Sequence, residues 1–296
     1  MPPFPAARSI PPRRHHALGR SARRKTKALA TGLMRKSLLM QATSADGVRI
    51  DFETVGRGQP LVLLHGFFGD RTSWRSAGYV DALAAQYLLV LIDARGHGRS
   101  DAPHGTDSYR VGRQVPDVLA VLDALGIGRA AIWGASMGGV IGLHLLAGHA
   151  RRCTALIAGG AHADRIPVDP ADVQREAELF RAKGSAPFIT WLERHGPVPP
   201  WLRNFMLSAD PHALAALTTA LANRDDILSP LARTSVPALL LAGDRDPLLP
   251  AIQRTATHIP GGTLIQLPDC GHLDTFVRSD LTLPLVLPFL SGHSAR

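Results

Sequence analysis

The chain is short of several things, and each shortage narrows what it can be. Among 296 residues there are two cysteines, Cys153 and Cys270, too far apart in sequence to form a metal-type cluster. A reduced cytoplasmic protein with two free thiols is expected. No run of about 18 uninterrupted apolar residues occurs, so no membrane-spanning helix is expected. Charged residues make up 19% of the chain and hydrophobic ones 45%, the balance of an ordinary globular protein with material for a large core. The length fits one large α/β domain with an insertion, or two modest domains.

Acidic residues are missing altogether from residues 1–45, which hold ten of the 33 lysines and arginines. The rest carries 23 basic against 24 acidic residues, so the net charge of +9 belongs to this stretch. The body therefore gives no support to nucleic-acid binding. Residues 1–45, with several prolines and an Arg-Arg-Lys-Thr-Lys cluster at 23–27, are expected to form a basic disordered tail. No apolar core follows the charges, so the stretch fails as a secretory signal. Two readings stay open for it: an organelle-targeting or polyanion-binding segment, or sequence upstream of a true start at Met34 or Met40.

What is present is an alternation of buried strands and amphipathic helices. Strands are expected at 48–55, 61–64, 87–92, 130–133, 153–158, 238–242 and 263–267. Helices are expected within 70–86, over 111–125 with Pro116 kinking or bounding it, over 140–150, and over 280–290 despite Pro284 and Pro288. This pattern predicts an α/β fold with a mainly parallel central sheet flanked by helices, built from 46–161 and 230–296. Between them, 162–229 has no strand-like run and reads as four short helices at 172–183, 187–195, 201–208 and 211–223.

The sequence Gly134-Ala135-Ser136-Met137-Gly138 lies between an apolar strand and a helix. Small residues at such a turn let strand and helix approach closely while the serine hydroxyl is pushed out. The helix N-terminus also favours negative charge there. Alone, Gly-x-Ser-x-Gly is a weak signal in a chain with 28 glycines. Two loops after later strands strengthen it, one with Asp244 and Asp246, the other with His272. Loops after parallel strands gather at one edge of a sheet, so serine, carboxylate and imidazole can meet there. His272 would take the serine proton, and the carboxylate would hold the imidazole in the right tautomer. The order Ser, Asp, His fits the nucleophile-elbow arrangement.

From Val48 to Leu290 the chain resembles the serine-dependent α/β-hydrolases, in the carboxylesterase and enol-lactonase branch. The landmarks are His65-Gly66-Phe67, the Asp93–Ser100 loop, Gly134–Gly138, the Asp246 loop and Gly271-His272. The resemblance implies Asp246 rather than Asp244 as the triad acid, since Gly243-Asp244-Arg245-Asp246 fits the family's Gly-x-x-Asp pattern. It implies Phe67 as an oxyanion donor through its backbone N–H; the other is the N–H of Met137, next to the serine. His65 is expected to be structural, and Asp93 and Arg95 to hold their loop by hydrogen bonds and a salt bridge.

Hydrolysis of an ester or lactone through an acyl-enzyme follows, with no metal or organic cofactor and a small-molecule substrate. The family's dehalogenases and epoxide hydrolases use Asp at the nucleophile position, so Ser136 argues against both. Carbon–carbon bond hydrolases and cofactor-free perhydrolases are the alternatives; His65-Gly66-Phe67-Phe68-Gly69 lacks the Gly-Pro-Gly extension of many carbon–carbon hydrolases. A non-catalytic ligand-binding role is a further alternative. The helical insertion is expected to act as a lid, with Phe68, Trp191 and Trp201 as candidate substrate contacts. Its apolar content suits a small to medium hydrophobic substrate. The oligomeric state is left open.

Overall fold

Along each central strand, successive side chains enter two different cores. Leu61 and Leu63, Leu89 and Leu91, Ala131 and Trp133, and Leu239 and Leu241 pack on one side. Val62 and Leu64, Val90 and Ile92, Ala130 and Ile132, and Leu240 and Ala242 pack on the other. A sheet apolar on both faces has to be covered on both, and that requirement sets the architecture.

The computed structural model describes residues 38–293. Eight strands form one sheet: β1 (Leu38–Thr43), β2 (Arg49–Gly56), β3 (Gln59–Leu64), β4 (Tyr87–Ile92), β5 (Ala130–Ala135), β6 (Cys153–Gly159), β7 (Ala238–Gly243) and β8 (Thr263–Leu267). Their spatial order is β1-β2-β4-β3-β5-β6-β7-β8. The strands from β4 to β8 run parallel, and β2 is antiparallel to both its neighbours.

The helices of eight or more residues are α1 (Val111–Ala124), α2 (Met137–His149), α3 (Pro170–Lys183), α4 (Ala186–His195), α5 (Pro200–Ser208), α6 (Pro211–Ala222), α7 (Leu249–His258) and α8 (Ser279–Gly292). Apolar residues of α1, α2 and α7 cover one face of the sheet. The other face is covered by Val286 and Leu290 of α8 and by Trp74, Tyr79, Val80 and Leu83. Trp74, Tyr79 and Trp133 meet edge to face with centroids 5.0–5.5 Å apart. Cys153 and Cys270 are both buried and unlinked. Among the described residues, no helix is long and apolar enough to cross a membrane.

The structure corrects one expectation and sharpens others. The basic tail does not extend to residue 45: Leu38–Thr43 pairs with β2 from Leu38↔Thr54 to Thr43↔Arg49. Its backbone completes the edge of the sheet, which the local composition conceals. The disorder expected for 1–37 lies outside the described residues. The helix expected within 70–86 is confined to two short turns, Ser73–Ser76 and Tyr79–Leu83, with Gly78 at φ 87° before the second. Of the two roles expected for Pro116, kink or boundary, the boundary is excluded, because Pro116 lies inside α1. Pro284 and Pro288 likewise lie inside α8, both on its exposed side, where the carbonyls they leave unpaired face water. The helix α7 was not anticipated at all.

The stretch between β6 and β7 is helical, as its sequence suggests. Each of α3 to α6 has a proline in its first two positions, where the missing N–H would be unpaired anyway. Asp169 and Asp210 cap α3 and α6 by accepting backbone N–H groups. The insertion's ends meet where the Ile227 N–H donates to the Ala163 carbonyl at 3.1 Å.

Candidate active site

The turn from β5 into α2 places Ser136 at φ 49°, ψ −110°, a conformation L residues rarely adopt. The neighbours permit it only because they are glycines. A Cβ on Gly134 would lie 2.2 Å from the Gly138 carbonyl oxygen, and one on Gly138 would lie 2.2 Å from that of Leu64. The Ser136 N–H is held by the Gly159 carbonyl at 2.7 Å. The side chain is thereby directed off the end of the sheet, at the start of a helix.

Two later strand ends bring partners to it. Ser136 Oγ lies 2.9 Å from His272 Nε2, and His272 Nδ1 lies 2.9 Å from Asp246 Oδ2. This pairing assigns Nδ1–H as donor to the carboxylate and leaves Nε2 to accept a hydrogen bond from the serine hydroxyl. Asp246 is 3% exposed, and its other oxygen accepts the Leu248 N–H at 2.9 Å. Burial works to raise the Asp246 pKa, but the hydrogen bond and charge of His272, with the Leu248 N–H, outweigh it. The carboxyl ends below its ordinary range. Asp244 does something else: its carboxylate accepts the Cys270 N–H at 3.2 Å, tying the aspartate loop to the histidine loop. Thr275 Oγ1 donates to the His272 carbonyl at 2.9 Å, a support that nothing in the sequence pattern singled out.

The Gly66–Phe67 turn lies against the serine: a Cβ on Gly66 would come 3.7 Å from Ser136 Cβ. Among the described residues, no hydrogen-bond acceptor occupies the N–H of Phe67 or of Met137. His65 sets the direction of the first. Its Nδ1–H donates to the Gly66 carbonyl at 2.8 Å, and the Gly69 N–H donates to the same oxygen at 3.0 Å. In a trans peptide the C=O and the next N–H point opposite ways, so fixing the Gly66 oxygen aims the Phe67 N–H away from it. The His65 Nε2 accepts the Ala94 N–H at 3.0 Å, which requires a neutral ring. Burial drives its pKa down to about 3, with help from His97. His97 Nε2 lies 2.7 Å from the Phe67 carbonyl oxygen and secures the far side of the turn. This second histidine was not assigned a partner from sequence.

Asp93 and Arg95 hold their loop, but not by pairing with each other. Asp93 pairs with Arg71 and accepts the N–H groups of Arg71 and Arg99 at 2.8 and 2.9 Å. Arg95 pairs with Asp117 at 2.6 Å and with Asp46 at 2.9 Å.

Beside Ser136 and His272 lies a cavity with about 60 Å³ open to the centre of a water-sized sphere, walled chiefly by Phe68, Leu192, Leu202, Met206 and Phe276. Phe68 is where the sequence reading expected it. Trp191 and Trp201 are not among the lining residues. Trp191 packs on Phe188 at 5.7 Å between centroids, and Trp201 packs on Phe205 and Phe276 at 6.1 Å. One residue further along each helix, about 100° around its axis, Leu192 and Leu202 face the cavity instead. Among the described residues, no group of three or more potential ligands could hold a metal ion.

Known proteins share this framework. The family model for the alpha/beta hydrolase fold matches residues 59–216. A 3-oxoadipate enol-lactonase of Acinetobacter baylyi is 28% identical over 218 residues, 69% of this chain and 79% of its own length. The crystal structure of the enol-lactonase from Burkholderia xenovorans superposes with a TM-score of 0.75 at 26% identity, covering 85% of this chain and 100% of that one. A thermophilic esterase from Thermogutta terrifontis gives 0.74 at 26% identity, covering 88% and 100%. The matched stretch runs from β3 through the serine turn into the insertion, more than half of the sequence, and so the chain belongs to the α/β-hydrolase fold family.

Proposed function

We propose that this protein hydrolyses a carboxylic ester or lactone through an acyl-enzyme on Ser136. The observation that carries the proposal is the unbroken relay from Ser136 Oγ to His272 to Asp246, with both heavy-atom separations 2.9 Å. In the first half-reaction, Ser136 Oγ attacks the carbonyl carbon and its proton passes to His272 Nε2. The tetrahedral oxyanion is received by the N–H groups of Phe67 and Met137. Collapse expels the alcohol, which leaves with the proton from Nε2. Water then enters, loses a proton to the same nitrogen, and releases the acid and free Ser136. Asp246 keeps Nδ1 protonated and stabilises the imidazolium in both halves.

The cavity walls are apolar, which supports a small to medium hydrophobic acyl or alcohol group. The helices contributing Leu192, Leu202 and Met206 roof the site, and we assign the insertion the role of a lid that selects substrate. The enol-lactonase and esterase names among the relatives support the same bond type.

The test is a fluorophosphonate probe followed by p-nitrophenyl esters of graded acyl length. Stoichiometric labelling lost in Ser136→Ala, with turnover of the shorter esters, is the expected result. Labelling that persists in Ser136→Ala removes Ser136 as nucleophile. Labelling with no ester turnover transfers the site to carbon–carbon bond hydrolysis, checked with dienoate ketones.

A further inference from the structure

One carboxyl group on the insertion sits where an apolar side chain belongs. On α3, Val173, Ala177 and Phe180 form the buried face, and Glu176 lies among them at 9% exposure. Among the described residues its carboxyl has no hydrogen-bond or ion-pair partner, and burial holds its pKa above the ordinary carboxylate range. Facing it from α6, the Thr218 Oγ1 is buried and also without a partner. Both line a single small cavity with Phe67, Val173 and Leu221. About 20 Å³ of it is open to the centre of a water-sized sphere, room for one terminal polar group. Phe67 lines this cavity and the one at Ser136 alike.

A hydroxyl buried without a partner beside a nine-tenths-buried carboxyl is costly, and the cost is removed by a donor that serves both. We infer that Glu176 and Thr218 form a polar subsite beyond Phe67 that reads a hydrogen-bond donor, a hydroxyl or an ammonium, at the far end of the substrate. The inference rests on the ester-hydrolase reading and narrows it. A methyl end leaves both oxygens unpaired, and a carboxylate end meets the acidic side chain of Glu176. A hydroxyl end donates to Glu176 while accepting from Thr218. An ammonium end donates to both and restores the charge that burial disfavours.

The test uses p-nitrophenyl esters of equal chain length ending in methyl, hydroxyl, ammonium or carboxylate, at several lengths. At the matching length, kcat/KM for the hydroxyl or ammonium ester should exceed that of the methyl ester by about tenfold or more. The carboxylate ester should fall below it. Glu176→Gln, which keeps the volume and a carbonyl acceptor, should retain the hydroxyl preference and lose that for ammonium. Glu176→Leu combined with Thr218→Val should bring the donor-to-methyl ratio to about one. A wild-type ratio of one at every length, or a preference surviving the double substitution, overturns the inference and leaves a pocket for structural water only. Calorimetric binding of the same four esters to Ser136→Ala separates this outcome from failure of the ester reading. Donor-selective binding without wild-type turnover sinks the reaction and keeps the subsite; equal binding of all four sinks the subsite.

Discussion

A serine hydroxyl gains nothing from position alone, because its proton must have somewhere to go and its product charge somewhere to rest. In the proposed cycle His272 supplies the first, and the N–H groups of Phe67 and Met137 the second. Replacing Asp246 by Asn would remove the carboxylate that fixes the Nδ1–H tautomer. We expect kcat to fall by about 10⁴-fold with the fold retained, read by steady-state kinetics beside circular dichroism. His65→Ala frees the Gly66 carbonyl and with it the aim of the Phe67 N–H. The expected loss is about 10²-fold in kcat with KM little changed. If KM rises instead and kcat holds, His65 does not orient the oxyanion turn. No step of the proposed cycle needs a metal, so activity should be unchanged by EDTA.

At the scale of elements, the insertion is fastened to the core by a polar cluster around the buried carboxylate of Asp164. His162 Nδ1 meets Asp164 at 2.6 Å, Arg224 donates to His162 Nε2 at 2.7 Å, and Arg254 of α7 donates to Asp164 at 2.9 Å. Asp164→Ala would leave Arg254 and His162 without their carboxylate. A loss of about 1 to 3 kcal/mol is expected in urea unfolding, because the buried His162 ring loses its hydrogen-bond acceptor while the half-exposed Arg254 can turn to water.

The elements differ in how far the sequence discloses them. The central strands are legible because burial on both faces forces continuous apolar runs such as Leu61–Leu64 and Ala238–Ala242. The serine and aspartate are legible because the turns that present them demand glycine, at Gly134, Gly138 and Gly243, and the histidine because it follows the last strand of the sheet. By contrast, β1 hides in a basic stretch, since an edge strand is recruited by backbone pairing and needs little side-chain signature. That Trp191 and Trp201 lie off the cavity walls is not legible, because helical periodicity gives the spacing of a face without saying which face meets the cavity. Glu176 escaped notice for a related reason: a charge amid an apolar stripe reads as surface until its neighbours are in place.

For the whole molecule, acid should be more damaging than the triad alone implies. His65 and His162 are buried and His144 half-buried, and desolvation is the main force holding their pKa values down, to about 3, 4 and 4. In the unfolded chain they would titrate near 6.5. The unfolded state therefore binds protons that the folded state refuses as pH falls from about 6.5 toward 4, and stability drops across that window. Unfolding at about pH 5 should take up about two to three protons from these three residues, measurable from the slope of the unfolding free energy against pH. Asp246 acts at lower pH: its depressed folded value gives stability present above about 3.9 and lost as pH falls through the folded pKa.

The place where the insertion departs and returns has a consequence for descent. Ala163 and Ile227 are joined by one 3.1 Å hydrogen bond, so whatever lies between them need only close a gap of that width. A cassette of another length or composition could be exchanged there while β6 and β7 keep their register and the relay of Ser136, His272 and Asp246 stays untouched. With the insertion as the proposed selector, substrate choice and bond-breaking chemistry can diverge at separate rates within one lineage, the first by swapping a module and the second hardly at all.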